Sequence, residues 1–211
     1  MLALLALGLL GLAPACAGGP ALPSGPPGEV TPLPPLPGTP TPVLSPTAPG
    51  GATATPGGDA LAALRARPLQ IPTLAPGAAC PTTPAHAIGP NYGPGLGPGP
   101  IYAILGAEPV LSYTVNTAFP APWGGAKTLW AAPQGAAGPV LVRGRQLDGP
   151  NVLRFGPDAS PAADLAFDPP SGPWDHPSTT RVQAPGCYAF QVDTPAGTTV
   201  LVFQARPSPG P

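Results

Sequence analysis

Prolines lie so densely along this chain that a long helix cannot form over most of it. The sequence has 40 prolines and 29 glycines among its 211 residues. Proline removes a backbone donor and clashes inside a helix, and glycine loses more conformational entropy on ordering than any other residue. The prolines dominate residues 17–60, whereas after residue 76 they only separate short apolar runs. The chain is therefore expected to combine an extended segment with a fold of short strands.

Charged side chains are rare, and this excludes one class of partner. Lys and Arg number 8, Asp and Glu number 9, and charged residues make up 8% of the chain, whereas an average soluble protein has about 25%. Nucleic-acid binding needs an excess of cations that neutralises phosphates, but the net charge is −1. We therefore expect no nucleic-acid partner, and we expect packing rather than ion pairs to stabilise the fold.

The chain begins with an apolar run, MLALLALGLLGLAPA, that ends at Cys16. The run has the length of a signal-peptide core and is too short to anchor a protein across a bilayer. With the small residues Ala13 and Ala15 it resembles the signal of bacterial lipoproteins, in which the cysteine after the cleavage site is lipidated. It departs from that family at Ala13, where leucine is usual, at Pro14, and in having no Lys or Arg before the apolar core.

The resemblance implies that residues 1–16 are a signal segment with a lipobox-like end and that Cys16 carries a lipid. Two or more acyl chains at Cys16 suffice for stable attachment to a membrane. Two alternatives stay open: retention of the run as a membrane segment, and secretion without lipid, because the sequence around Ala15 also fits small-x-small cleavage sites. The expected location is the outer face of the cell membrane, or the exterior for a secreted form.

Residues 17–76 are predicted to be a disordered linker rich in Pro, Gly and Thr. Stretches such as TPLPPLPGTPTPVLSPTAPGG have few large apolar residues, so they cannot bury enough surface to offset the entropy of ordering. In polyproline II geometry, forty-odd residues reach on the order of 130 Å. A short helix is expected at 59–67, with Asp59 as its cap and Pro68 beyond its end. The alternative for PLPPLP is a ligand of a proline-recognising domain.

Residues 77–207 are predicted to form an all-β domain. Short apolar runs bounded by Gly, Pro, Asn and Asp predict seven or eight strands, in 100–105, 109–117, 126–132, 139–147, 151–155, 178–183, 187–193 and 198–205. Tyr188, Phe190 and Val192 share one face of their strand, and the residues between them share the other face. This pattern favours an antiparallel sandwich or a barrel.

The last two runs, within APGCYAFQVDTPAGTTVLVFQA, resemble the final strands of immunoglobulin-like sandwiches in bacterial surface proteins. The resemblance implies an immunoglobulin-like antiparallel β-sandwich in which Tyr188 is the corner tyrosine, its hydroxyl bonded to nearby backbone. The wider pattern from KTLW to VLVF resembles a group of exported bacterial proteins that offers no activity to carry over.

Cys80 and Cys187 are the remaining cysteines once Cys16 belongs to the signal segment. In an oxidising compartment, two remaining cysteines most simply pair with each other. We therefore predict a structural disulfide between Cys80 and Cys187. The alternative is a catalytic or redox thiol, for which neither cysteine has a C-x-x-C motif or a nearby base.

The sequence contains no catalytic motif, and we predict a protein that is not an enzyme and has no cofactor or metal. His86 and His176 are the only histidines. Asp175 lies beside His176 in PWDHPS, but adjacent residues converge on one cation only in a tightly curled loop. The arginines of the run 139–147, Arg143 and Arg145, share a face and are expected to pair with Asp148 or Asp193 or to meet an acidic partner.

Two functional hypotheses follow from these features. The first is a lipid-anchored, non-catalytic structural or adhesive module displayed on the cell envelope, whose partner is an envelope protein or a glycan. The alternative is a glycan- or cell-wall-binding module that uses Trp123, Trp174 and Tyr92, which are expected in loops where exposed rings stack on sugars. Rings gathered on one exposed rim would favour the second hypothesis, whereas rings folded over the ends of the sandwich would be structural.

Overall fold

The computed structural model describes residues 56–75 and 77–209. The predicted signal segment 1–16, with Cys16, and residues 17–55 of the predicted linker lie outside the described residues.

One α-helix and eleven strands form the described part of the chain. In chain order they are α1 (Pro56–Arg65), β1 (Ala85–His86), β2 (Gly95–Leu96), β3 (Tyr102–Ile104), β4 (Val110–Tyr113), β5 (Gly124–Ala132), β6 (Val140–Gln146), β7 (Arg154–Phe155), β8 (Leu165–Phe167), β9 (Trp174–Val182), β10 (Gly186–Thr194) and β11 (Gly197–Pro207). The helix α1 is short, and the described part contains no helix long and apolar enough to cross a membrane.

The strands form two sheets. Sheet 1 has the order β1-β2-β3-β5-β9-β7, and sheet 2 has the order β4-β11-β10-β6-β8. Neighbouring strands are antiparallel except for β4, which runs parallel to β11. The predicted all-β fold class is therefore confirmed, with two sheets of mostly antiparallel strands.

Every predicted run contributes to a strand, but three strands and part of a fourth were not predicted. β1, β2 and β8 have only two or three residues each, too few to show an alternating pattern. β9 begins at Trp174, so PWDHPS is not the loop that was expected. Asp, Pro and Ser have low strand propensity, but this segment pairs with β5 from Trp174↔Ala132 onward. Pairing with a long neighbouring strand overrides the local preference.

The core between the sheets is built from aromatic rings. Trp130 packs edge-on against Phe190 with ring centroids 5.0 Å apart, and Phe190 stacks on Phe203 at 4.4 Å. All three side chains are fully buried. Burial of each such ring contributes about 1.5–3 kcal/mol, so packing carries most of the stability of this weakly charged chain.

Tyr188 lies near the start of β10, and its side chain reaches back to the turn that joins β9 to β10. Its hydroxyl donates a hydrogen bond to the Ala184 carbonyl at 2.8 Å, and its side chain is fully buried. This is the contact that the sequence resemblance implies for a corner tyrosine. Burial raises the pKa of Tyr188 to about 12.

Removal of this hydroxyl by Tyr188→Phe is expected to lower the free energy of unfolding by about 1–2 kcal/mol, because the Ala184 carbonyl loses its partner. The folded state also holds the phenol proton that an unfolded tyrosine releases near pH 10. The stabilisation that comes from the protonated Tyr188 is therefore present below about pH 10 and is lost as the pH rises toward the pKa of Tyr188 in the folded state. Urea unfolding should therefore show a steeper fall above pH 10 for the wild type than for Tyr188→Phe; parallel curves would contradict the assignment.

The strap, defined as residues 66–75 and 77–84, leads from α1 across the outer face of sheet 2. The Leu74 amide donates to the Leu147 carbonyl at 2.8 Å, and the Thr83 amide donates to the Val202 carbonyl at 2.8 Å. Ile71 is buried against Ala189 in a second apolar cluster under the strap. The predicted linker ended at residue 76, whereas in the structure residues 66–75 already pack on the sheet. The entropy cost of ordering these residues is offset because sheet 2 supplies both apolar contacts and hydrogen-bond partners.

Candidate functional site

The three aromatic residues proposed as ligand contacts do not form one surface. Trp123 precedes the first residue of β5, whereas Trp174 pairs with Ala132 at the other end of β5. At about 3.4 Å per residue the two positions are roughly 31 Å apart along the strand. Tyr92 lies between β1 and β2, at the opposite edge of sheet 1 from β9. The shared rim that would favour glycan binding is therefore not formed by these rings.

Trp174 is a core residue, which corrects its assignment to an exposed loop. Only 5% of its surface is exposed, and its Nε1 donates to the Ala136 carbonyl at 3.2 Å. Its ring packs edge-on against Phe167 at 5.5 Å. The segment that was predicted to be a loop is the start of β9, and the Trp174 ring points between the sheets.

His176 and Asp175 point to opposite faces of β9 and do not form a metal site together. Asp175 is exposed, whereas His176 is half-buried and stacks on Phe167 with centroids 4.1 Å apart. Burial lowers the pKa of His176. In residues 56–75 and 77–209, no group of three His, Cys, Asp or Glu side chains is arranged to hold a metal ion.

Two clefts were considered as ligand sites. One of about 280 Å³ lies beside the β10–β11 turn, where Val192, Thr194 and Thr198 contribute to a lining without charged side chains. Another of about 580 Å³ follows β9 and includes Lys127 and His176. Neither cleft brings together groups that define a reaction or a specific ligand.

The disulfide between Cys80 and Cys187 is present, as predicted. The two Cα atoms are 5.5 Å apart, and 107 residues separate the cysteines in sequence. Cys187 is 2% exposed and belongs to the apolar cluster under the strap. The bond therefore joins the strap to the first residues of β10.

Side chains on the outer face of sheet 2 bind the strap backbone ahead of this disulfide. Gln191 accepts a hydrogen bond from the Gln70 amide, and its Nε2 donates to the Pro68 carbonyl at 3.0 Å. Arg145 donates to the Ile71 carbonyl at 2.6 Å. These polar residues of β6 and β10 therefore hold the strap in place; Gln191 is buried, whereas Arg145 is half-buried.

Asp193 is the centre of a group of polar side chains that we call the Asp193 cluster, with Arg143, Gln191, Thr198 and Arg67. Asp193 is fully buried. Its carboxylate accepts from Arg143 at 2.7 Å and from the Thr198 hydroxyl at 2.6 Å, and Gln191 donates to both of its oxygens. The Arg67 guanidinium lies 3.9 Å away.

The expected pairing of Arg143 with Asp193 is thus formed, but in a buried position rather than on the surface. Arg143 also donates to the Arg67 carbonyl at 2.9 Å. Its Nε is buried and has no hydrogen-bond partner among the described residues. Asp148, the other carboxylate considered for these arginines, instead accepts from the Cys187 amide at 3.0 Å.

Arg181 is a structural residue that the sequence analysis missed. It is fully buried and donates to the carbonyls of Trp123 at 2.8 Å and Asp158 at 3.0 Å. Its guanidinium lies over the Phe119 ring at 4.9 Å, and burial lowers its pKa. Arg181 fixes two connecting segments that are distant in sequence, and no local motif marks this role.

The comparisons with known proteins found little. No protein-family profile matches the sequence, and no curated protein matches it. A solved structure described as "X-ray Crystal Structure of a Putative Lipoprotein from Bacillus anthracis" has 13% sequence identity to this chain and a TM-score of 0.43. The likeness covers 62% of this chain and 88% of that chain.

Proposed function

We propose that this chain is an exported, lipid-anchored protein whose sandwich is a non-catalytic structural or adhesive module of the cell envelope. The observation that carries the proposal is the Cys80–Cys187 disulfide, because structural disulfides form and persist in oxidising compartments outside the cytosol. The chain has three cysteines, so this bond leaves Cys16, directly after the apolar run, outside the pair. That position suits a cysteine that is lipidated.

The order of the strands supports an immunoglobulin-like arrangement for this module. β3-β5-β9-β7 corresponds to the A-B-E-D sheet of such sandwiches, and β11-β10-β6 corresponds to G-F-C. Tyr188 stands at the corner between the strands that correspond to E and F. Two features differ from antibody domains, which have a core tryptophan on strand C and a disulfide between strands B and F. Here Trp130 is on β5, which corresponds to B, and the disulfide joins β10 to the strap.

A binding role fits this arrangement better than a reaction does. Arg143 and Arg145, which the sequence analysis singled out on sheet 2, hold the strap. On β9, His176 stacks on Phe167 and Asp175 is exposed on the opposite face. The module would act through its outer surface, at the end of a linker that allows it to reach a partner in the envelope.

Mass spectrometry of the protein from membranes of the native cells tests the anchor. We expect an N-terminal peptide that begins at Cys16 and carries two or three acyl chains, and we expect Cys16→Ser to move the protein from the membrane fraction to the medium or to block its processing. Ala17→Ser is the matched control and should leave the membrane fraction unchanged. An unmodified N-terminus at or after Cys16 would show plain secretion and contradict the anchor.

A further inference from the structure

Two exposed aliphatic side chains, Leu69 and Val152, lie beside three half-buried side chains, Arg145, Arg154 and Trp123, and we call this surface of the sandwich the arginine face. Val152 pairs with Arg145 across an antiparallel bridge, so the two side chains share a face. Leu69, from the strap, and Val152 are each 41% exposed. They line the same shallow cleft of about 200 Å³, together with Arg154.

The charge of this face is positive. Arg143 and Arg154 line the cleft, and no carboxylate does; Arg143 is paired with the buried Asp193, and Arg145 lies next to the cleft, opposite Val152. In the described part of the chain, neither Arg145 nor Arg154 takes part in a salt bridge, whereas Asp164 is paired with Arg65. The Arg154 guanidinium lies 6.0 Å from the centroid of the half-buried Trp123 ring. Arg145 and Arg154, which make no salt bridge with the described residues, therefore lie beside two exposed aliphatic side chains.

We propose that the arginine face docks on a bilayer surface that carries anionic headgroups. Arginine binds phosphate through paired N–H donors, tryptophan favours the interface between water and lipid, and exposed aliphatic side chains reach the boundary of the acyl chains. An acidic protein would satisfy the same charges. The bilayer fits better because the cleft that Leu69 and Val152 line is shallow and open, so it presents these side chains to a surface and does not enclose the side chain of a partner.

The anchor at Cys16 would make this contact effective even though it is weak. A domain that is tethered to the membrane experiences a high effective concentration of headgroups, so a contact of low intrinsic affinity is occupied. The gain in effective concentration rests on the proposed lipid anchor. The docking surface itself belongs to the sandwich and does not need the lipid.

The test uses the chain from Ala17 onward without lipid, so that failure of the anchor and failure of the docking surface are distinguishable. Co-sedimentation is measured with phosphatidylcholine vesicles, with and without phosphatidylglycerol, at low and high salt. We expect binding only to the anionic vesicles and loss of binding at high salt. Arg154→Gln should weaken the partition coefficient about fivefold, since each basic residue near an anionic surface contributes roughly this factor.

Matched variants separate a docking surface from general electrostatic attraction. Arg206→Gln removes an exposed arginine at the other side of sheet 2 and should change binding much less than Arg154→Gln. Val152→Ser should weaken binding, and Val152→Leu should retain it. Equal effects of Arg154→Gln and Arg206→Gln, no binding to anionic vesicles, or binding to soluble polyglutamate without binding to vesicles would each overturn the proposal; the last result would indicate an acidic polypeptide as the partner.

Discussion

Replacement of both bridged cysteines, Cys80→Ala with Cys187→Ala, is expected to lower the free energy of unfolding by about 4–5 kcal/mol. The bond joins residues 107 apart in sequence, so its loss returns a large amount of conformational freedom to the unfolded chain. Because domains of this size have a total stability of about 5–15 kcal/mol, the change removes a large part of it. Guanidinium unfolding followed by tryptophan fluorescence under non-reducing conditions measures the difference.

Reduction provides the control for this experiment. A reductant should destabilise the wild type to the level of the double variant and should leave the double variant unchanged. Hydrogen exchange should show where the loss begins: the strap amides of Leu74 and Thr83, which donate to sheet 2, are expected to lose protection first. A loss below about 1 kcal/mol would mean that the non-covalent contacts of the strap suffice without the disulfide.

Removal of the buried carboxylate by Asp193→Ala is expected to cost about 3–5 kcal/mol, because it leaves Arg143 with an uncompensated charge in a largely buried position. The Arg143 side chain is 18% exposed, and the carboxylate that it contacts at 2.7 Å is fully buried. Thr198 and Gln191 lose their acceptor in the same step. Urea unfolding of the variant measures the loss, and increased exchange at Gln70 would show that the strap loosens with the cluster.

The matched control is Asp164→Ala, which removes the carboxylate of an exposed ion pair. Arg65 and Asp164 are 2.9 Å apart, with side chains that are 50% and 24% exposed. Exposed pairs of this kind contribute about 0–1 kcal/mol, so Asp164→Ala should change the stability little. Similar losses for Asp193→Ala and Asp164→Ala would contradict the argument that burial makes the difference.

A double-mutant cycle of Asp193→Leu with Arg143→Met should show strong coupling, because the apolar pair leaves no buried charge.

Most of the strands could be predicted because their signal is local. In β10, Tyr188, Phe190 and Val192 face the core between the sheets, as their alternation indicates. The disulfide could be predicted by elimination, because only two cysteines lie beyond the predicted signal segment. By contrast, the pattern in β9 is obscured by Asp175 and Pro177, and its pairing with β5 depends on residues about fifty positions earlier.

The roles of the candidate residues were harder to predict, because they depend on which segment covers each side chain. Trp123 and Trp174 look alike in sequence, each next to proline or glycine, but one remains half-exposed beside Arg154 and the other lies in the core. Arg181 and Arg154 lie opposite each other on β9 and β7, but Arg181 is enclosed by carbonyls whereas Arg154 stays half-buried beside Trp123. No local pattern distinguishes the members of these pairs.

The all-β class and the positions of the long strands follow from the sequence, since alternation and turn residues are properties of neighbouring positions. The pairing of the cysteines also follows from the sequence, because only two candidates remain. The covering of the outer face of sheet 2 by the strap does not follow from the sequence. Gln191 and Asp193 would be ordinary outward-facing polar residues if the strap were absent, but Gln191 receives the amide of Gln70, 121 residues earlier in the chain. Burial of an outer sheet face is set by the packing of such distant segments, and that packing also leaves the arginine face uncovered.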